Sequence, residues 1–88
     1  RNKNLLVTHE RDLSNYSVLE YTITDGLDVI NKKLKEIKFP RHILIISIER
    51  DNHEFVPNAD DKILLGDKIT VLLDAKDALE IDEYLKIE

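Results

Sequence analysis

Three histidines are the first residues of this chain with side chains suited to metal binding or to base catalysis. His9, His42 and His53 lie in three separate segments, and no two of them have the i, i+4 spacing that places two ligands on one helix face. Acidic residues flank His53 in neighbouring turns, but they lack the ligand spacing of a calcium-binding loop. We therefore interpret the histidines as ordinary, partly exposed residues and predict no metal site.

Nucleophilic catalysis has no recognisable constellation in this sequence. The chain contains no cysteine, and Ser14, Ser17 and Ser47 do not lie in the Gly-x-Ser-x-Gly context of a nucleophile elbow. Carboxylates are spread along the whole chain, so that no pair is marked out for acid–base work. Gly26 and Gly66 alone cannot build a phosphate-binding loop. We predict that the chain is not an enzyme.

Composition excludes several classes of partner. A net charge of −5 disfavours nucleic acid, because attraction to phosphates needs a basic surface. No apolar run approaches the roughly 20 residues that span a bilayer, and no signal peptide is recognisable. The chain opens with Arg1, which we interpret as a sign that it is a piece of a longer protein. The absence of cysteine fits a reducing cytosol.

Hydropathy patterns divide the first half of the chain into a linker, a strand and a helix. Residues 1–15 are mostly polar and are interpreted as a linker from a preceding domain, and the domain proper covers 16–88. Residues 18–23 alternate apolar and polar side chains and predict a strand. Residues 27–37 predict a helix that ends near Pro40, because four apolar side chains recur there at helical spacing: Leu27, Ile30, Leu34 and Ile37.

The second half of the chain predicts three further strands and a last helix. Residues 42–50 read as a strand that is apolar on both faces at its start, and 53–56 as its hairpin partner. After a loop at 57–61, residues 68–73 predict another strand, and roughly 75–87 a final helix. The order β-α-β-β-β-α lacks a regular βαβ alternation and indicates an α+β fold, with helices packed on a small mixed sheet.

Several motifs of this chain, in their order, resemble the RCK C-terminal domain, also called TrkA-C. Pro40 precedes an apolar strand that closes in Ile48-Glu49-Arg50, which resembles the family's "isoleucine, any residue, arginine" ending. Farther along, Leu65-Gly66-Asp67 followed by a strand resembles its "glycine-aspartate, apolar, any residue, valine" signature. The resemblance covers residues 17 to about 85. It implies an RCK-C/TrkA-C-like fold and a dimeric cytosolic module that senses a small ligand.

The resemblance also indicates a candidate ligand site. Some family members bind cyclic di-AMP at the dimer interface, with basic, polar and apolar residues around the start of the central strand. Basic side chains there suit a phosphate, and apolar ones suit adenine rings. The alternative is a strand start with two solvated basic residues. The matching residues of this chain are Lys38, Arg41, His42, Ile43, Leu44 and Ile45.

From these observations we expect the cytoplasmic regulatory domain of a bacterial ion channel or transporter, for potassium or for chloride. Its membrane-embedded partner would lie in the same polypeptide or complex, and no cofactor is expected beyond a small nucleotide ligand. Homodimerisation is expected around the central strand and its neighbouring helix, because that helix covers only one of the strand's two apolar faces. A pure oligomerisation module, or the effector domain of a transcription regulator, remains an alternative.

Overall fold

The computed structural model describes residues 14–39 and 43–76. These form one four-stranded sheet with the spatial order β1-β4-β2-β3, in which every neighbouring pair of strands is antiparallel. The predicted strands are therefore confirmed, but the sheet is antiparallel and not mixed. The strands are β1 (Tyr16–Thr22), β2 (Ile43–Arg50), β3 (His53–Phe55) and β4 (Lys68–Asp74).

The core lies on one face of the sheet, along the inner strand β4. In β4, Ile69, Val71 and Leu73 are all buried, as the alternation of side chains along a strand requires. Ile45 of β2 and Leu19 of β1 lie opposite Val71 on either side. These β-branched and aliphatic side chains suit a pleated, half-buried surface, so local preference and packing favour the same structure.

A β-bulge keeps β2 in register with this core. Ile43 and Ile45 face the core, and so does Ile48, although a strict alternation of two would turn Ile48 outward. The pairing with β4 shifts between Ile45 and Ser47, and the extra residue restores the inward direction. Each aliphatic side chain kept inside contributes about 1.5–3 kcal/mol to stability.

The predicted helix at residues 27–37 is wrong. The structure has only the 3-10 helix Leu34–Glu36 in this segment, preceded by turns. Asn31 has a φ of 69°, a left-handed conformation that ends any right-handed helix. Its N–H donates to Ile63 O at 2.7 Å, so the backbone here bonds to another part of the chain instead of to itself.

The side chains of this segment nevertheless pack where they were expected to pack. The four apolar residues at helical spacing lie against the core cluster, and Val29, which is not part of that spacing, is buried among them. The spacing of the apolar residues thus indicated correctly which side chains face the core, but it did not indicate the backbone conformation of the segment. The residues concerned are Leu27, Ile30, Leu34 and Ile37.

Two further expectations fall largely outside the described residues. The final helix at about 75–87 has only Ala75 and Lys76 within them, and the linker at 1–15 only Ser14 and Asn15. Both remain predictions. In the part of the chain that the structure describes, no helix has the length and apolar character to cross a membrane.

Candidate functional site

A mostly apolar hollow lies at the start of β2. It has a volume of about 220 Å³, below the roughly 300–1,000 Å³ of a complete small-molecule site. Its floor is the first part of β2, and its walls come from the 3-10 helix with the segment after it and from the loop after β3. The lining residues are Leu34, Phe39, Ile43, Leu44, Ile45, Pro57, Asn58 and Ala59.

The edge of β2 beside this hollow is open. β3 pairs only with residues Ile48, Glu49 and Arg50 of β2. Across residues 43–47, the side of β2 that faces away from β4 has no strand partner among the described residues. Backbone N–H and C=O groups on such an edge are available to bind a ligand or another strand.

The structure brings together Ile43, Leu44 and Ile45 from the predicted site, and it separates Lys38 from them. Ile43 and Ile45 face the core, whereas the Leu44 side chain is 57% exposed on the opposite face of the sheet. Lys38 is exposed and lines a different hollow, beside Ile37. Arg41 and His42 lie outside the described residues.

The two walls of the hollow are joined by backbone hydrogen bonds. Leu34 N donates to Asp61 O at 2.9 Å, and Lys35 N donates to Ala59 O at 3.0 Å. Lys35 Nζ also lies 2.8 Å from Asp60 Oδ1, but both side chains are more than half exposed, so this pair contributes little. The segment 31–35 and the loop 59–63 therefore form one continuous rim.

A buried ion pair at the other end of β2 was not predicted from the sequence. Arg50 Nε donates to Asp67 Oδ1 at 2.8 Å, and Arg50 Nη2 donates to Asp67 Oδ2 at 2.7 Å. Leu64 N also donates to Asp67 Oδ2, at 2.8 Å. The Asp67 side chain is only 1% exposed, against 30% for Arg50. Such a bidentate pair has the geometry that favours arginine over lysine.

Arg50 and Asp67 shift each other's pKa in the directions that keep both side chains charged. Burial raises the pKa of the Asp67 carboxyl, but the Arg50 hydrogen bonds, the Leu64 N–H and the Arg50 charge together outweigh burial and hold that pKa below its ordinary value. The same hydrogen bonds raise the pKa of Arg50. Both residues belong to the motifs quoted for the family resemblance, and those motifs were the signal in the sequence that could have drawn attention to them. Their contact could not be read from the motifs.

The outer face of the sheet, opposite the core, is apolar at one end and charged at the other. Val18, Leu72 and Leu44 lie side by side on three neighbouring strands, and Val18 and Leu44 are each 57% exposed. At the charged end, Glu49 lies opposite Glu54 in the β2–β3 pair and opposite Lys68 in the β2–β4 pair. The apolar row, defined as Val18, Leu72 and Leu44, adjoins the hollow through Leu44.

The exposed His53 takes part in no recognisable metal centre. Within residues 14–39 and 43–76, no three histidine, cysteine or acidic side chains are grouped so that they could hold a metal ion. The geometry of the described residues is therefore that of a small apolar hollow beside an open strand edge.

Comparison with known proteins identifies the family of this chain. The TrkA-C domain family matches residues 18–86. A Methanosarcina mazei protein named "Trk system potassium uptake protein TrkA homolog 1" is 29% identical over 69 residues, which are 78% of this chain and 15% of that protein. A solved structure described as "Structure of RCK domain with cda" has a TM-score of 0.67 and 24% identity, and covers 80% of this chain and 99% of that one. The chain thus spans a small part of its curated relative, shares its fold with an RCK domain, and belongs to the TrkA-C domain family.

Proposed function

We propose that this chain is a regulatory, ligand-sensing and dimerising domain of a potassium uptake system, and that it is not an enzyme. Membership of the TrkA-C domain family supports the regulatory role. The relative's name specifies potassium uptake, whereas nothing in the comparisons supports chloride. As part of such a system, the domain would act on the cytoplasmic side of the membrane with a membrane-embedded transporter.

The observation that carries this proposal is the hollow at the open edge of β2. Ile43, Leu44 and Ile45 line it, and the basic residues Arg41 and His42 immediately precede them in the chain. Apolar lining with a few polar groups at its margin is typical of small-molecule sites. The chain therefore has the residue types that a ligand with flat rings and phosphates needs.

Cyclic di-AMP is the ligand that we propose. Its adenine rings suit the apolar floor of the hollow, and its phosphates suit Arg41 and His42, the basic residues that precede this floor in the sequence. The RCK domain of similar fold is described as a structure "with cda", which supports a ligand-binding role for this fold. A pure oligomerisation module without a ligand remains the rival proposal.

Thermal unfolding with cyclic di-AMP tests the sensing role. Ligand at 100 times its Kd stabilises the folded protein by about 2.7 kcal/mol, so the melting temperature should keep rising as the ligand concentration increases, even after the site is saturated. Ala59→Phe, which places a ring in the hollow, should abolish this shift. Ala75→Phe, a matched change at another exposed alanine outside the hollow, should keep it. No shift at millimolar ligand would favour the oligomerisation module.

We also propose that the domain is a homodimer, joined at the apolar row and the neighbouring hollow. A hollow of about 220 Å³ is small for a complete site, and a second copy across a two-fold axis would enlarge it symmetrically. The same copy would remove the exposed Leu44 from water. The alternative is a monomer in which the C-terminal segment of the same chain, at residues 77–88, covers the row.

A disulfide experiment distinguishes a second copy from the C-terminal segment as the cover of the apolar row. It is possible because the natural chain has no cysteine. The single substitution Leu44→Cys should give a covalent dimer on mild oxidation if a second copy covers the row near the two-fold axis. In the double variant Leu44→Cys with Leu85→Cys, an intramolecular disulfide at monomer mass would instead favour the monomer. A Leu65→Cys variant controls for random collision, since Leu65 is equally exposed and lies outside the row.

The effector domain of a transcription regulator is a candidate from another class. It would share the sensing site but would be joined to a DNA-binding domain. Reading the full-length gene distinguishes the two, since a helix-turn-helix segment and a set of transmembrane helices have different hydropathy patterns.

A further inference from the structure

We infer that Arg50 is a positioning residue for the hollow, and that it acts by holding the loop that forms the hollow's far wall. Arg50 lies at the opposite end of β2 from Ile43 and does not line the hollow. The inference rests on the proposed function only where it treats this wall as part of a ligand site. The claim that Arg50 holds the loop depends only on the contacts described below.

The loop in question, residues 56–67, connects β3 to β4 outside the sheet. Arg50 Nη2 donates to Lys62 O at 2.9 Å, so the guanidinium bonds to the middle of this loop as well as to Asp67 at its end. Asp67 in turn accepts from Leu64 N. One arginine side chain thereby joins β2 to two points of the loop, and the bonds involve a charged donor, which strengthens them.

From Lys62 the loop leads directly to the rim of the hollow. On the side of Lys62 that is farther from the hollow, Ile63 N donates to Lys32 O at 3.1 Å. On the near side, Asp61 O accepts from Leu34 N. Leu34 itself lines the hollow. The carbonyl that Arg50 holds is therefore flanked on both sides by the bonds that join the two walls.

This rim needs an external anchor because of its own charges. Lys33 and Lys62 lie directly opposite each other in an isolated antiparallel bridge, and like charges in that position weaken the pairing of two strands. The Arg50 hydrogen bond to Lys62 O holds the bridge from the side of the sheet. Without it, the rim should open locally before the sheet does.

The anchor requires arginine specifically. Arg50 uses Nε for one Asp67 oxygen and Nη2 for both the other oxygen and Lys62 O. Its guanidinium also lies over the Phe55 ring, 5.4 Å from the ring centre, in a cation–π contact. Lysine keeps the charge but has neither the planar fork nor the second nitrogen, so it cannot make all of these contacts together.

Amide hydrogen exchange in Arg50→Lys tests the inference without any ligand. The rim amides of Asn31, Leu34, Lys35 and Ile63 should exchange on the order of tenfold faster, as expected for the loss of one hydrogen bond from a charged donor. Amides of the β1–β4 pairing should change much less. Val71→Ala serves as the control, because a cavity beside β4 should speed exchange in the rim and in the sheet alike.

A uniform increase in Arg50→Lys, like that of Val71→Ala, would show that Arg50 only stabilises the whole fold and would overturn the inference. No change in the rim would overturn it as well. If Arg50→Lys does not fold, Phe55→Leu, which removes the ring beneath the guanidinium, should give the same selective pattern, and a uniform pattern there counts against the inference.

A second arm adds cyclic di-AMP to the wild-type chain. If the hollow binds it, the same rim amides should become better protected, and Arg50→Lys should bind it more weakly at unchanged charge. Selective exchange in Arg50→Lys with no effect of cyclic di-AMP would leave the positioning role intact and contradict the proposed ligand. The two ideas therefore fail separately.

Discussion

At the residue scale, the Arg50–Asp67 pair is the strongest electrostatic feature among the described residues. Both oxygens of a carboxylate that is 1% exposed are bonded, and none of the buried side-chain polar atoms in residues 14–39 and 43–76 lacks a hydrogen-bond partner. Desolvation makes such a pair a weak source of net stability, but removing one partner leaves a buried charge without compensation.

Asp67→Asn should lower the free energy of unfolding at neutral pH by about 3 kcal/mol, because it leaves Arg50 without its carboxylate. Denaturant unfolding measures this difference. Lys35→Ala, which breaks the exposed pair with Asp60, is the control and should change stability by less than about 1 kcal/mol. Equal losses in the two variants would contradict a special role for the buried pair.

Acid should destabilise the natural chain through the same carboxylate. The pKa of Asp67 is lower in the folded protein than its ordinary value of 3.8, so its contribution to stability is complete well above that value and is lost as pH falls through the folded pKa. Unfolding measured from pH 7 to pH 2 should therefore show a fall in stability that begins near pH 4 to 5. Asp67→Asn should show a shallower fall, and an identical pH profile would refute this assignment.

The sequence indicated Arg50 and Asp67 separately, as members of two family-like motifs, but not as partners. Their separation in the chain gives no sign of contact, and a charged residue at a strand end is more often solvated than buried. The candidate ligand residues show the same limit. The run at 43–45 was placed correctly on a strand, whereas no local pattern in the sequence specifies how far Lys38 lies from that strand.

At the element scale, the strands were predictable and the first helix was not. Alternation of side chains indicates a strand wherever one face is buried, as in β4 with Ile69, Val71 and Leu73. In 27–37 the apolar spacing is helical, but Asn31 adopts a positive φ and the backbone pairs with the loop 59–63. Long-range hydrogen bonds decided the conformation there, and they leave no local trace in the sequence.

Asn31→Ala distinguishes the two conformations of this segment. In a helix, alanine in place of asparagine would stabilise the protein. In the left-handed conformation seen here, it should destabilise it by about 1–2 kcal/mol, because the added strain falls on a residue with a Cβ and no polar side chain. Asn31→Gly is the control and should cost little. Denaturant unfolding of the natural chain and the two variants provides the comparison. A variant Asn31→Ala that is more stable than the natural chain would favour a helix in this segment.

At the scale of the whole molecule, the apolar row and the hollow make one continuous surface around Leu44. An aliphatic side chain of this size loses about 1.5–3 kcal/mol of stabilisation when it stays in water. A chain of 88 residues also buries a smaller fraction of its surface than a larger chain does when it folds alone. Both effects favour association through this surface.

Light scattering at micromolar protein should give about twice the 10.3 kDa mass of one chain. Leu44→Asp should shift the mass towards that of a monomer, because it places a charge in the centre of the proposed interface. Leu65→Asp, at a similarly exposed leucine outside the row, should leave the mass unchanged. A natural chain that is monomeric, with Leu44→Asp folded and of equal mass, would refute the homodimer.

The short β3 has a consequence for how this chain behaves before its surfaces are covered. β3 has three residues, so residues 43–47 of β2 have one edge without a strand partner among the described residues. The hexapeptide 43–48 also contains neither charge nor proline. Such hexapeptides stack readily into the cross-β structure of amyloid, and natural edge strands usually carry a lysine or a proline that prevents it. Isolated at high concentration, this domain should lose soluble protein to fibrils or aggregates that begin with this strand.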